Sequence, residues 1–191
     1  MSLFKLKKSG GPRDLEVSMA GLKLGSRVLL IDGGDGELMA AMAKVVGLSG
    51  QACALVQSQD AAEPFTRASG KAGVLVEVKV GRSTSLPFDD GSFDVVVIKE
   101  VLGQMRQNDR VITLQQTRRV LRVGGRCLVI EQSVRGGLGA LFSRQTLDHQ
   151  YMAGGARSAL KAEGFRGVRV LSERDGVSFT EGSRAADPTG L

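Results

Sequence analysis

Positions 32–36 read Asp-Gly-Gly-Asp-Gly, between the apolar run Val28–Ile31 and a stretch, Glu37–Val46, whose apolar residues Leu38, Met39, Met42 and Val45–Val46 share one helix face. Main-chain N–H groups in such a turn, with the N-terminus of the helix that follows, bind polar or anionic groups. Asp32 and Asp35 admit two readings. They can meet a cationic ligand group, or they can cap the helix, because acids near a helix N-terminus are stabilising with no ligand present. Other chemistry-bearing groups are sparse. His149 and Tyr151 are the single histidine and the single tyrosine, two positions apart. Lys99 and Glu100 follow the apolar run Asp94–Ile98. No Ser–His–acid pattern, CxxC or Cys/His metal spacing occurs, so no metal is expected.

Stepping along the chain, short apolar runs alternate with helical patterns. Strands are expected at 27–31, 52–56, 74–80, 94–98 and 127–130, with a closing pair at 168–171 and 177–180 joined by an Arg174-Asp175-Gly176 turn. Helices are expected at 15–22, 37–46, 60–69 (interrupted by Pro64), 109–122 and 151–163. The fourth would be capped by Asn108 or Asp109 and stopped by Gly124–Gly125. Residues 132–150 read as irregular. This alternation predicts an α/β fold: a Rossmann-like three-layer sandwich of about seven strands, mostly parallel, with a closing antiparallel strand. One domain at 27–182 would follow an arm or partial cap at 1–26 and precede a polar tail at 183–191.

The bulk numbers exclude several classes. A chain of 191 residues, 42% hydrophobic and 24% charged, is an ordinary globule. No apolar run approaches the ~18 residues of a membrane span. The opening MSLFKLKKSGG lacks the apolar core of a secretory signal. The net charge of +6 is spread, with no block of five like charges, so no nucleic-acid partner is expected. Cys53 and Cys127 each sit in an apolar run and read as buried free thiols, in keeping with a cytoplasmic location.

Four stretches carry a resemblance: GSRVLLIDGGDGEL, GRSTSLPFDDGSFDVVV, RRVLRVGGRCLVIE and GFRGVRVLSERDG. In that order and spacing, over roughly residues 25–180, the chain resembles the class I S-adenosylmethionine-dependent methyltransferases. It is closest to the small-molecule branch of the ubiquinone and menaquinone enzymes. The resemblance implies S-adenosylmethionine as cofactor and a small-molecule methyl acceptor, or a protein partner that completes the acceptor site.

It also implies where the cofactor lies. In ungapped register Gly34 and Gly36 match two family glycines, Asp32 stands for the first, and Leu30 stands for an acid on the strand. The turn residues Asp32, Gly33, Gly34, Asp35 and Gly36 would face the cofactor. The ribose acid after the second strand is replaced by Val56 and Gln57, followed by Ser58. The adenine-binding Gly-Asp becomes Gly81-Arg82. Arg82 is a donor only, while Ser83 keeps its main-chain donor. Arg82 can stack on adenine, pair with an anion or stand in solvent. Lys99 would lie beside the methionine end, where it can meet the cofactor carboxylate or form a solvated rim. Asp94 reads as structural. The stretch 131–151 would cross the open edge of the pocket, with His149 a candidate general base and Tyr151 a ring against the sulfonium, or both as ordinary packing.

Three readings follow. The first is a small-molecule methyltransferase with weak cofactor binding. The second is a non-catalytic relative kept as a binding or assembly module, because Leu30, Val56/Gln57 and Arg82 replace the cofactor acids. The third is a site retuned for an anionic ligand held by Arg82 and Lys99.

Overall fold

The computed structural model describes residues 12–31, 34, 36–132 and 149–186. Its helices are α1 (Pro12–Ala20), α2 (Glu37–Val46), α3 (Gln59–Ala72), α4 (Gln107–Val120) and α5 (His149–Ala162). Its strands are β1 (Arg27–Ile31), β2 (Gln51–Val56), β3 (Glu77–Val80), β4 (Phe93–Lys99), β5 (Leu121–Gln132), β6 (Arg166–Arg174) and β7 (Val177–Ser183). They form one seven-stranded sheet in the order β3-β2-β1-β4-β5-β7-β6. The first five strands run parallel, and β7 is antiparallel to both β5 and β6. This is the Rossmann-like sandwich that the alternating pattern predicts.

Central strands covered on both faces need apolar residues at every position, and VLLI and VVVI supply them. Their alternate residues enter two separate cores. Leu30, Ala54, Val97 and Leu128 pack under α1, α2 and α3. Leu29, Cys53, Val96 and Cys127 pack on the other face with residues of α4 and α5. The two cysteines occupy one transverse row, Cys53–Leu29–Val96–Cys127, three strand spacings apart. At about 4.8 Å per spacing they are far beyond disulfide reach, and both are buried and free.

Several boundaries differ from the sequence expectation. Gly124–Gly125 does not stop α4. Leu121 already turns into strand, and the glycines lie inside a 12-residue β5, where Gly124 N–H donates to Arg184 O (2.8 Å) and Arg184 N–H to Gly125 O (2.9 Å). Tertiary pairing with the chain after β7 overrides the helix-stop signal. The α4 cap is Arg106, in extended conformation, rather than Asn108 or Asp109. β3 begins at Glu77, later than expected. Pro64 falls inside α3 beyond the first turn and removes one helical donor, yet the helix continues to Ala72. Asp175 and Gly176, both at positive φ, make the tight β6–β7 hairpin that the sequence predicts.

Candidate active site

The strand order reverses between β1 and β4, and ligands of open parallel sheets collect beyond the carboxyl ends of the strands at that reversal. β1 ends there at Ile31, with Gly34 and Gly36 beyond it, and β4 delivers Lys99. Of the predicted turn residues, Asp32, Gly33 and Asp35 lie outside the described residues. Gly34 is exposed. Gly36 caps α2 at φ +78°, and its carbonyl accepts from Ala40 N–H at 3.0 Å. A Cβ on Gly36 would stand 2.4 Å from Phe65 Cα and 3.0 Å from Pro64 O. The close approach of α3 therefore requires this glycine, whatever the turn binds. Between the start of α2 and α3 lies an open cleft of ≈ 510 Å³ lined by Gly34, Glu37, Pro64, Arg67, Ala68 and Lys71.

Two of the positions matched to cofactor acids, Leu30 and Val56, are apolar and buried. Leu30 is 0% exposed, between Ala54 and Val97 in the core. Val56 is buried too, and its carbonyl accepts from Gly81 N–H at 2.9 Å. Gln57 and Ser58 follow β2 on the surface. The Ser58 hydroxyl accepts from Ala61 N–H at 3.2 Å, so it serves as the N-cap of α3. Arg82 is exposed on the neighbouring loop after β3. The Ser83 hydroxyl pairs with Thr113 of α4 at 3.0 Å. The structure thus gathers Gln57, Ser58 and Arg82 along one rim and turns the Ser83 side chain toward α4.

At the end of β4, Lys99 does not stand in solvent. Its Nζ lies 3.1 Å from Glu16 Oε1, with the two side chains only 18% and 12% exposed. Sequence reasoning missed Glu16. Leu15, Val17 and Met19 of α1 mark the helix as one that packs on the core, but nothing in the sequence names Lys99 as the partner of Glu16. Glu100 follows in left-handed conformation, φ +57°. Its N–H reaches Ile130 O (2.8 Å), and its carbonyl accepts from Gln104 (2.9 Å). Non-glycine residues in this conformation store on the order of 1 kcal/mol and cluster at functional sites.

On the other face, the Tyr151 hydroxyl donates to Glu131 at 2.7 Å. The Arg110 guanidinium stands 4.4 Å over the Tyr151 ring and donates to the carbonyls of Leu102 and Met105. Burial pushes the Glu131 carboxyl upward against the hydrogen bonds from Tyr151 and Gly103 and the charge of Arg110. Burial, then the Glu131 charge, also raise the Tyr151 phenol. Tyr151 is therefore turned into the cluster, with one ring face taken by Arg110. His149 opens α5, and its side chain lies outside the described residues. Asp94 is structural, as the sequence suggests: it accepts from Arg27 N–H (2.8 Å) and Arg122 Nε (2.5 Å).

A methyltransferase-domain family model matches residues 29–129, over half of the chain. The chain belongs to the class I S-adenosylmethionine-dependent methyltransferases. A curated relative, the ubiquinone/menaquinone biosynthesis C-methyltransferase UbiE of Paraburkholderia xenovorans (strain LB400), is 30% identical over 183 residues, covering 85% of this chain and 73% of that one. Two solved structures share the fold at 18% identity. One is a SAM-dependent methyltransferase from Aquifex aeolicus (TM-score 0.75, covering 91% of this chain and 90% of that one). The other is the [4+2]-cyclase SpnF (TM-score 0.72, covering 92% and 80%). Among the described residues of this methyltransferase-family chain, no helix is long and apolar enough to cross a membrane, and no group of three His, Cys, Asp or Glu could hold a metal ion.

The family cofactor fits part of this donor set. A half-buried acid–base pair at the β4 end matches the charges of its amino-acid group. Where the resemblance would put the ribose and adenine, the exposed side chains are those of Gln57 and Arg82, a neutral amide and a cation.

Proposed function

We propose that the protein is an S-adenosylmethionine-dependent methyltransferase for a small molecule, working in the cytoplasm with weak cofactor affinity. The observation that carries the reading is the meeting of the carboxyl ends of β1 and β4, Ile31 beside Ile98 with Lys99 next in the chain, at the reversal of the sheet. When bound, the cofactor supplies a methyl group already activated on a sulfonium, so the protein's task is mainly alignment. Lys99 and the turn of Gly34 and Gly36 would hold the cofactor, with Gln57 and Arg82 at its sugar and base. Two buried free cysteines are in keeping with a reducing compartment.

Weak affinity follows from the side chains. A hydrogen bond to a charged group contributes about 1.5–3 kcal/mol, so a missing ribose carboxylate costs on the order of 10–100-fold. Titration with S-adenosylmethionine or S-adenosylhomocysteine should give a Kd at or above ~100 µM. Low-micromolar binding would remove the weak-affinity reading, and no binding at millimolar concentration would remove the cofactor.

The second reading, a non-catalytic binding or assembly module, is favoured by Leu30 and Val56, both buried where the family places carboxylates. The cyclase among the fold neighbours illustrates that this scaffold alone does not fix the reaction. The reading of a site retuned for an anion loses support, because Glu16 already faces Lys99.

A further inference from the structure

Glu16 and Lys99 form an ion pair sheltered on both sides, at the carboxyl end of β4 beside the end of β1. Glu16 is firmly held. Leu15, Val17 and Met19 of α1 pack on the core, and Arg126 donates to the carbonyls of Met19 and Ala20 at the helix's other end. Sheltering two charges is costly, and a pair of this kind gains little over apolar packing. What it does provide is a fixed dipole. A simple anion would be drawn to Lys99 and repelled by Glu16, and a simple cation the reverse. A ligand carrying both charges on neighbouring atoms meets both partners at once.

We infer that Glu16 and Lys99 together bind the zwitterionic amino-acid end of the cofactor, Glu16 taking the α-ammonium and Lys99 the α-carboxylate. The inference rests on the methyltransferase reading above and assigns a residue that the motif positions do not contain. α1, from the segment before the first strand, thereby returns a carboxylate to a crevice whose Leu30 and Val56 positions lack one. The strand order then directs the rest of the ligand from β4 across β1 toward the Gln57 and Arg82 rim.

The test uses the full chain and two probes, S-adenosylhomocysteine and 5′-methylthioadenosine, which lacks the amino-acid end, with binding followed by low-affinity calorimetry and ligand-observed NMR. Glu16→Gln and Lys99→Met should each weaken S-adenosylhomocysteine about tenfold or more and leave methylthioadenosine unchanged. The double exchange Glu16→Lys with Lys99→Glu keeps an ion pair. It should melt within a few degrees of the wild type yet lose S-adenosylhomocysteine, which separates binding from folding. Unchanged or tighter S-adenosylhomocysteine binding by Glu16→Gln overturns the inference, since the pair would then be a brace or a plug. Equal binding of the two probes by the wild type overturns it as well, while leaving an adenosine site standing. Binding of neither probe at millimolar concentration overturns the cofactor reading and this inference with it.

Discussion

Glu16 Oε1 and Lys99 Nζ, 3.1 Å apart, tie α1 to the carboxyl end of β4. Arg126 fastens the same helix at its opposite end: Nη2 donates to the carbonyls of Met19 and Ala20, and Nη1 donates to Glu181 at 2.8 Å. α1 is therefore fastened over the neighbouring strands β4 and β5, from the carboxyl end of β4 to the Arg126 row, with its apolar residues against the core. Arg126→Met should remove the helix's C-terminal anchor and leave Glu181 to Arg169 alone. The expected loss is roughly 2–3 kcal/mol of unfolding free energy, read as a lower urea midpoint with an unchanged slope.

Gly36→Ala tests whether this glycine is required by packing. The new Cβ would meet the Phe65 main chain at 2.4 Å with φ at +78°. Strain of about 1–2 kcal/mol adds to overpacking of about 1–3 kcal/mol, so the apo protein should be markedly destabilised. Gly73→Ala, with φ +65° and nothing near its Cβ, should show the strain alone. Equal losses in thermal melts of the two variants would contradict the packing role.

Arg82→Asp restores, on an exposed loop, the acid that the family uses for adenine. Stability should stay within about 0.5 kcal/mol, while S-adenosylhomocysteine binding should tighten roughly 5–10-fold. No gain in calorimetry would mean that the adenine does not reach this loop. Leu30→Asp, by contrast, places a carboxylate in the core between Ala54 and Val97 and should unfold the protein rather than repair it.

The pH dependence of stability should carry a signature of Asp94. Burial opposes its charge, but Arg122 and the Arg27 N–H outweigh burial and hold the carboxyl below its ordinary 3.8. A depressed folded-state value gives stability that is present above 3.8 and lost as pH falls through the lower folded value. The stability gap between the wild type and Asp94→Asn should therefore narrow in acid, as followed by denaturant unfolding at a series of pH values.

Glu131 should show the opposite sign. Burial raises its carboxyl above the ordinary 4.5, so the fold favours the protonated form. That contribution is full below 4.5 and is lost as pH rises through the folded value. Glu131→Gln keeps an acceptor for Tyr151 and should gain stability relative to the wild type between pH 4 and 7. A gap that stays flat across that interval in urea titrations would contradict the assignment.

The sequence alone determined the parallel sheet, because VLLI and VVVI are apolar at every position and only strands covered on both faces require that. It determined the family through LPFDDGSFDVVV and RRVLRVGGR, and these stretches prove to be bonded to each other. Arg119 donates to the carbonyls of Leu86 and Phe88 and to Asp90, and Arg122 to Asp94. It also put Gln57 and Arg82 at the positions where the family resemblance leads one to expect acids. Only the tertiary structure decided which side chains meet. Ser58 spends its hydroxyl on capping α3, Gly36 answers to Phe65, Gly124–Gly125 pair with Arg184 instead of ending a helix, and Tyr151 faces Glu131 and Arg110. Above all, it decided that Lys99 has an acidic partner. Glu16 lies far from Lys99 in sequence, on a helix that matches no motif. Its place at the site is set by how the apolar face of α1 packs on the sheet, a long-range contact that no local pattern encodes.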